Sequence, residues 1–438
     1  MLKSNIAWMK KNVPSDLKVW KGMIQDIDWS QVAAKAKLSL QRDKDRITAE
    51  FKEFAAMDTS AKIDWLMNGD RHLGYLYKKD AIAFARREWK GLKSVGYDFV
   101  GWLKIWGGML NMVMKDPMSI MLAVFEYHWF ASYLATPAVV DRSVFGRRGK
   151  LLQADFDMWV AITHWAEDLI ANLIMADAKI GGNQKINKRI IMFDEMTMAQ
   201  MMAGFPNLLG IPYQMIPVFM VSEMDQLTLI PYIDAIESYG LPSDTCPLPT
   251  AECGCAVKDE YPMCGQGFIA SSMPCDGSVM ASSYFARRFP EIPVHHLCFP
   301  VRYEDELTLD AAVEDVKACI RFIEKQTGEK WNWDAYFTAM KRFNTETDYE
   351  LQKWEINKTA YPQLIGPTYE LFRKWCYEMD GGLDPRTIKS CEKVNKILLK
   401  GYKNKEQAWR NKMRYRAITW SCPPHYYANF SNWLANCW

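Results

Sequence analysis

The sequence predicts an α/β protein in which a helical N-terminal region precedes a lobe built on a parallel sheet, and three observations carry that expectation. Up to about residue 180, apolar residues recur at helical spacing with few Gly or Pro to interrupt them. After Gly181-Gly182-Asn183 the texture changes to short apolar runs alternating with short helical segments, the pattern of strands joined by crossover helices. All 11 cysteines lie at or after Cys246, so any thiol chemistry belongs to this second part.

In chain order, Asp80 to Lys93 and Ala154 to Ala178 are amphipathic helical stretches, and the many Trp and Met residues around them read as core packing. Arg189-Ile-Ile-Met-Phe-Asp194 is a short strand-like run, Thr197 to Gly204 is helix-like, and Gln214-Met-Ile-Pro-Val-Phe-Met220 is apolar again. Tyr232 to Tyr239 is helical, with Gly240 suited to its C-terminal cap. Gly267 to Ser272 and Val294 to Phe299 are further strands. Helices follow at Thr308 to Lys325, closed by Thr327-Gly328, at Trp333 to Thr359 and at Pro385 to Lys412. Tyr415 to Trp420 is one more strand, Ser421 to Pro424 its loop and Tyr426 to Trp438 a last helix.

One strand and one helix cannot bury their apolar faces alone. They either complete the central sheet or open a second α/β lobe that has been truncated, and the second reading is favoured. The expected organisation is a helical N-terminal region over 1–184, an α/β lobe with cysteine motifs over 185–306, a helical connector over 307–412 and the start of a second lobe over 413–438. A chain of 438 residues, at roughly 150 residues per domain, predicts about three packing units.

Composition excludes several classes. Lys plus Arg number 54 and Asp plus Glu 52, a balance that gives no electrostatic reason for nucleic acid or an anionic membrane surface as partner. The most apolar region, Trp102 to Val140, is interrupted by Lys104, Lys115, Asp116 and Glu126, leaving no charge-free stretch of membrane-spanning length. The first residues lack the apolar core of a secretory signal, so a cytoplasmic protein in a reducing compartment is expected.

The densest chemistry-bearing constellation runs through Leu241-Pro-Ser-Asp-Thr-Cys246-Pro, Ala251-Glu-Cys-Gly-Cys255, Tyr261-Pro-Met-Cys264 and Ser271-Ser-Met-Pro-Cys275-Asp-Gly-Ser278. Cys246 and Cys275 sit in loops rich in Pro, Ser and Asp, and Cys275 follows a strand, where ligands of open α/β sheets collect. Loop thiolates flanked by backbone N–H groups suit an iron–sulfur cluster. Zinc is the competing metal, although no C-x2-C pair occurs, and unligated packing thiols are the plainest alternative.

The two segments around Cys246 and Cys275 resemble the 2-hydroxyacyl-CoA dehydratase and benzoyl-CoA reductase family. Leu297-Cys-Phe-Pro-Val-Arg302-Tyr-Glu-Asp-Glu306, Glu324-Lys-Gln-Thr-Gly328-Glu-Lys and Phe193-Asp-Glu-Met-Thr197 are also similar to it, so that the resemblance spans about 185 to 438. It implies a subunit with two Rossmann-like α/β lobes, paired with a homologous second subunit and able to hold a [4Fe–4S] cluster on three cysteines. It implies a separate ATP-hydrolysing iron–sulfur activator protein that delivers one low-potential electron. The substrate would be an acyl-CoA: in dehydratases a 2-hydroxyacyl thioester passes through a ketyl radical to an enoyl-CoA, and in the reductase branch electrons enter an aromatic ring. By motif position Cys246 and Cys275 are two of the three ligands. A non-catalytic scaffold subunit of such a complex is the alternative from another class.

The sequence departs from that pattern twice. The third ligand belongs well inside the second lobe, and Cys422 is the one late cysteine in a comparable loop. The acidic pair expected at the helix after the first strand is replaced by Thr197-Met-Ala-Gln200, with Glu195 nearby as a substitute. Neither a G-x4-G-K-S/T phosphate loop nor a GxGxxG fingerprint occurs, so ATP and nicotinamide chemistry are left to a partner. His295-His296 fits core packing, with a metal or acid–base role as the sharper reading. His425 follows Cys422 and is a candidate to line a site. Arg287-Arg288 reads as a solvated helix face, the alternative being contact with a CoA phosphate. Glu304-Asp-Glu306 would open a helix, where carboxylates suit the positive end.

Overall fold

The computed structural model describes residues 29–62, 92–136, 149–180, 189–194, 199–224, 226–262, 264–272, 276–298, 305–363, 367–380 and 382–407. The N-terminal part contains α1 (Trp29–Ala56), α2 (Leu92–Lys115), α3 (Pro117–Glu126), a 3₁₀ segment (His128–Ala135) and α4 (Gly149–Ala176). Asp116 caps α3 by accepting from the Ser119 N–H at 3.2 Å, and Pro117 supplies the fixed φ of the first helical turn. Helix α4 is the spine: α2, α12 (Pro367–Lys374) and α13 (Pro385–Lys403) all pack on it.

The sheet has four parallel strands, β1 (Ile190–Phe193), β2 (Leu209–Pro212), β3 (Gly267–Ser271) and β4 (Val294–Leu297), in the spatial order β2-β1-β3-β4. Register pairs Met192 with Ile211 and with Phe268, and Ile269 with His295. Side chains alternate between two buried faces, as a parallel sheet requires. Ile190, Met192, Phe268 and Ala270 join the large core that also contains Trp159 and Ile174 of α4. Ile191, Phe193 and Ile269 face the other way, against Cys319 and Ile323 of α10 (Glu306–Thr327).

Between the strands lie α5 (Ala199–Met202), a π-helical turn (Met215–Phe219), α6 (Met220–Met224), α7 (Ile230–Glu237), α8 (Pro247–Val257) and α9 (Asp276–Arg288). The apolar run from Gln214 to Met220 is therefore not a strand. The strand precedes it, and Gly210 and Pro212 hide its apolar signature. Gly210 is dictated by packing, since a Cβ there would stand 2.7 Å from Met202 Cγ and 3.0 Å from the Phe193 ring.

Helix α10 begins where the acidic run predicts. Asp305 caps it through the Thr308 N–H at 2.7 Å, and Gly328, at φ +75°, closes it with an N–H to the Glu324 carbonyl at 2.8 Å. Helix α11 (Trp333–Asn357) follows. Helix α13 stops at Lys403 rather than running on to Lys412, because Lys405 adopts a left-handed φ of +53° and the chain turns back. The strand and helix expected beyond Tyr415 lie outside the described residues, as does the expected helical stretch from Asp80 as far as Gly91. No described helix is long and apolar enough to cross a membrane.

Candidate functional site

In a right-handed parallel sheet each crossover helix starts at the carboxyl edge of the strands. Helix α9, the single helix that joins β3 to β4, therefore starts at that edge, and α8 packs against it. The strand order reverses between β1 and β3, the position where open α/β sheets bind ligands.

Asp194, one residue beyond β1, pins this switch point. Its buried carboxylate accepts from the Ser271 N–H at 2.8 Å, and its own N–H donates to the Ile269 carbonyl at 3.1 Å. The ends of β1 and β3 are thus held together from both sides of one residue.

Cys246 is the N-cap residue of α8, with an extended-type backbone (φ −52°, ψ 125°), and it is exposed. It stands in front of an 11-residue helix, at the positive end of the aligned peptide dipoles. Cys253 and Cys255, on the same helix, face inward. Burial pushes the Cys253 thiol up to about 12 and Cys255 well above the ordinary thiol range. Cys264, Cys319, Cys376 and Cys391 are buried too, so the packing role weighed from sequence describes six of the eight described cysteines. The exception besides Cys246 is Cys298, exposed one residue past β4 on the same carboxyl edge and not singled out from sequence as a ligand.

Cys275, Cys422, Glu195 and His425 lie outside the described residues. What flanks Cys275 is described: β3 ends at Ser271 and α9 begins at Asp276. Among the described residues no three His, Cys, Asp or Glu side chains gather in a way that could hold a metal ion.

Beneath Cys246, six residues along α8, stands Glu252, the one charged residue of that helix. It is buried and accepts from Gln214 Nε2 at 2.5 Å and from the Tyr261 hydroxyl at 2.8 Å. Burial, aided by the charge of Asp194, pushes its carboxyl up to about 7 against those two hydrogen bonds. The sequence reading passed over Glu252; a lone carboxylate in an otherwise uncharged helix is the signal that could have found it. Because its folded pKa lies above the unfolded value near 4.5, the folded state holds the extra proton, and stability falls as pH rises from about 4.5 to about 7. Glu252→Gln is expected to flatten that part of the pH–stability profile, read from urea midpoints measured across the window.

The remaining candidates are structural. His295 stacks on Phe322 with ring centroids 5.3 Å apart, and His296 Nδ1 is 3.4 Å from Ser282 Oγ. Burial lowers the pKa of both rings. Arg288 reaches Asp259 at 3.3 Å and lies over the Phe289 ring. Asp305 and Glu306 serve the start of α10.

Residues 226–437, which contain Cys246, Cys275 and Cys422, match the family model described as 2-hydroxyglutaryl-CoA dehydratase, D-component. Over this stretch the chain is similar to that family, which supports a dehydratase-type component. The match starts later than the resemblance read from sequence, inside the lobe rather than ahead of β1. No curated protein matches the chain.

Proposed function

We propose that this dehydratase-type component is the iron–sulfur subunit of an oxygen-sensitive acyl-CoA dehydratase. Cys246 and Cys275 would hold a [4Fe–4S] cluster and Cys422 would supply the third thiolate. The observation that carries this reading is the Cys246 thiol, exposed at a helix N-terminus within the family-matched stretch while its two helix neighbours are buried. Its donor chemistry fits the group, because a helix N-terminus stabilises both a thiolate and the anionic cluster it would bind. When bound, the cluster supplies low-potential one-electron chemistry and an iron with an open coordination position.

The reaction is the removal of water from a 2-hydroxyacyl-CoA. One electron, provided by an ATP-hydrolysing activator, turns the thioester carbonyl into a ketyl radical anion, which expels the 2-hydroxyl as hydroxide. Loss of a proton from C3 and return of the electron leave the enoyl-CoA, with no net redox change. A homologous second subunit is the proposed partner. The work of this chain's own residues is to hold the edge: Asp194 joins β1 to β3, and the Gln214–Glu252–Tyr261 network fixes α8, so that Cys246 keeps its place.

The test is iron, acid-labile sulfide and zinc per chain after strictly anaerobic purification. Roughly four iron and four sulfide are expected, lost in Cys246→Ser and in Cys275→Ser. Zinc in their place, or iron unaffected by both substitutions, would overturn the assignment. Turnover of 2-hydroxyacyl-CoA with the activator then separates dehydration from aromatic acyl-CoA reduction.

A further inference from the structure

A cavity of about 30 Å³ lies between α2, the 3₁₀ segment, α4 and α6, outside the family-matched stretch. Its walls are mostly apolar, including the thioethers of Met109, Met112 and Met220 and the rings of Trp159 and Tyr133. Its polar groups share one property: their side-chain protons are already directed elsewhere. The Tyr133 hydroxyl donates to the Ile216 carbonyl at 2.6 Å, Thr163 to the Trp159 carbonyl at 2.8 Å and Thr136 to the Tyr133 carbonyl at 2.7 Å. The Trp159 indole N–H donates to Thr368 Oγ1 at 3.1 Å.

The strongest acceptor is Glu167, only 6% exposed. Asn111 Nδ2 donates to its Oε1 at 2.6 Å, while Oε2 is buried with no hydrogen-bond partner. The nearby cationic groups leave Oε2 unserved: Lys115 and Arg386 are both drawn onto Asp168, and the His164 Nδ1 lies 3.8 Å from Oε1, on a ring whose pKa burial lowers. An unpaired buried carboxylate oxygen carries its desolvation penalty uncompensated, so an occupant that donates to it is favoured.

We propose that this cavity is a binding site for a small ammonium-type cation, ammonium itself or a methylated primary ammonium. Carboxylate and hydroxyl oxygens take its N–H donors, and the two rings and the thioethers meet its positive charge and its methyl group. The room suits one or two water-sized groups and excludes a quaternary ammonium. Hard divalent cations ask for about six oxygen ligands, more than this lining presents.

The experiment is calorimetric titration of the full chain with methylammonium chloride at pH 8, above the value of about 7 to which burial lifts the Glu167 carboxyl. Sodium chloride and tetramethylammonium chloride at equal ionic strength are the controls. Saturable binding of methylammonium alone, weakened on the order of tenfold or more in Glu167→Gln, is expected. Equal heats with sodium, saturable binding of tetramethylammonium, no saturable heat at all, or binding unchanged in Glu167→Gln would each overturn the proposal. The three-salt comparison on the unmodified chain decides the matter even if the variant does not fold.

Discussion

Replacing Lys353 by methionine is expected to cost about 3–5 kcal/mol of stability, seen as a lowered urea midpoint and melting temperature. Lys353 is fully buried in α11, where its ammonium pairs with Glu350 one turn earlier. The Tyr369 hydroxyl donates to the other Glu350 oxygen, and the ammonium lies 5.5 Å from the Tyr369 ring centroid and 5.6 Å from that of Phe372. Removing the cation leaves a buried carboxylate supported by one hydroxyl alone. Glu346, another turn back, offers no substitute for the lost cation: burial and the neighbouring Cys391, Asp380 and Glu350 push its own carboxyl up to about 9. Lys353→Met combined with Glu350→Leu is expected to recover most of the loss, because a buried pair replaced as a whole is close to neutral. A double variant as unstable as Lys353→Met would show that packing, rather than charge pairing, sets the cost.

The second large effect is expected from Gly254→Ala in α8. A Cβ at that position would stand 2.0 Å from the Tyr232 carbonyl oxygen and 2.8 Å from its Cα, and both are backbone atoms of α7 that no side-chain rotation can relieve. Helix propensity would gain a few tenths of a kcal/mol up to about 1 kcal/mol from the substitution, but forcing α7 and α8 apart costs about 3 kcal/mol. The same displacement moves Cys246 at the head of α8 and strains the Glu260 contact, in which Tyr232 donates at 2.6 Å. Loss of stability together with reduced iron content after anaerobic purification is the expected outcome. Gly107→Ala is the control, because nothing lies within 4 Å of its missing Cβ, and it should be neutral or slightly stabilising.

Much of the sheet was legible because three of its strands are short, mainly apolar or β-type runs bounded by turn residues. Ile190–Phe193, Gly267–Ser271 and Val294–Leu297 were each visible as runs. The second strand was not, since Leu209–Pro212 contains a glycine set by close packing and a proline at its end, both of which read as turn. Helix ends followed capping chemistry at Asp305 and Gly328, whereas the end of α13 turns on a left-handed lysine that has no compositional signature. At the site, the loop character of Cys246 was legible, but the separation of exposed from buried thiols was not. Cys246, Cys253 and Cys255 lie within ten residues, and only helical phase against α7 and α9 distinguishes them. Asp194 escaped notice as a fastener because its partner, the Ser271 N–H, is distant in sequence.

The order β2-β1-β3-β4 also limits how this protein can be divided. The stretch that matches the family model starts at residue 226, after β1 and β2 have been laid down, so it holds β3 and β4 but not β1, with which the other edge of β3 is paired. Cut there, β3 would offer a bare row of backbone donors and acceptors, and the sheet face now covered by α4 would lose its partner. What is inherited as a recognisable unit is thus smaller than what must fold as one. β1, β2 and α4, outside that unit, cover the edge and the face that the matched stretch alone would leave open to another copy.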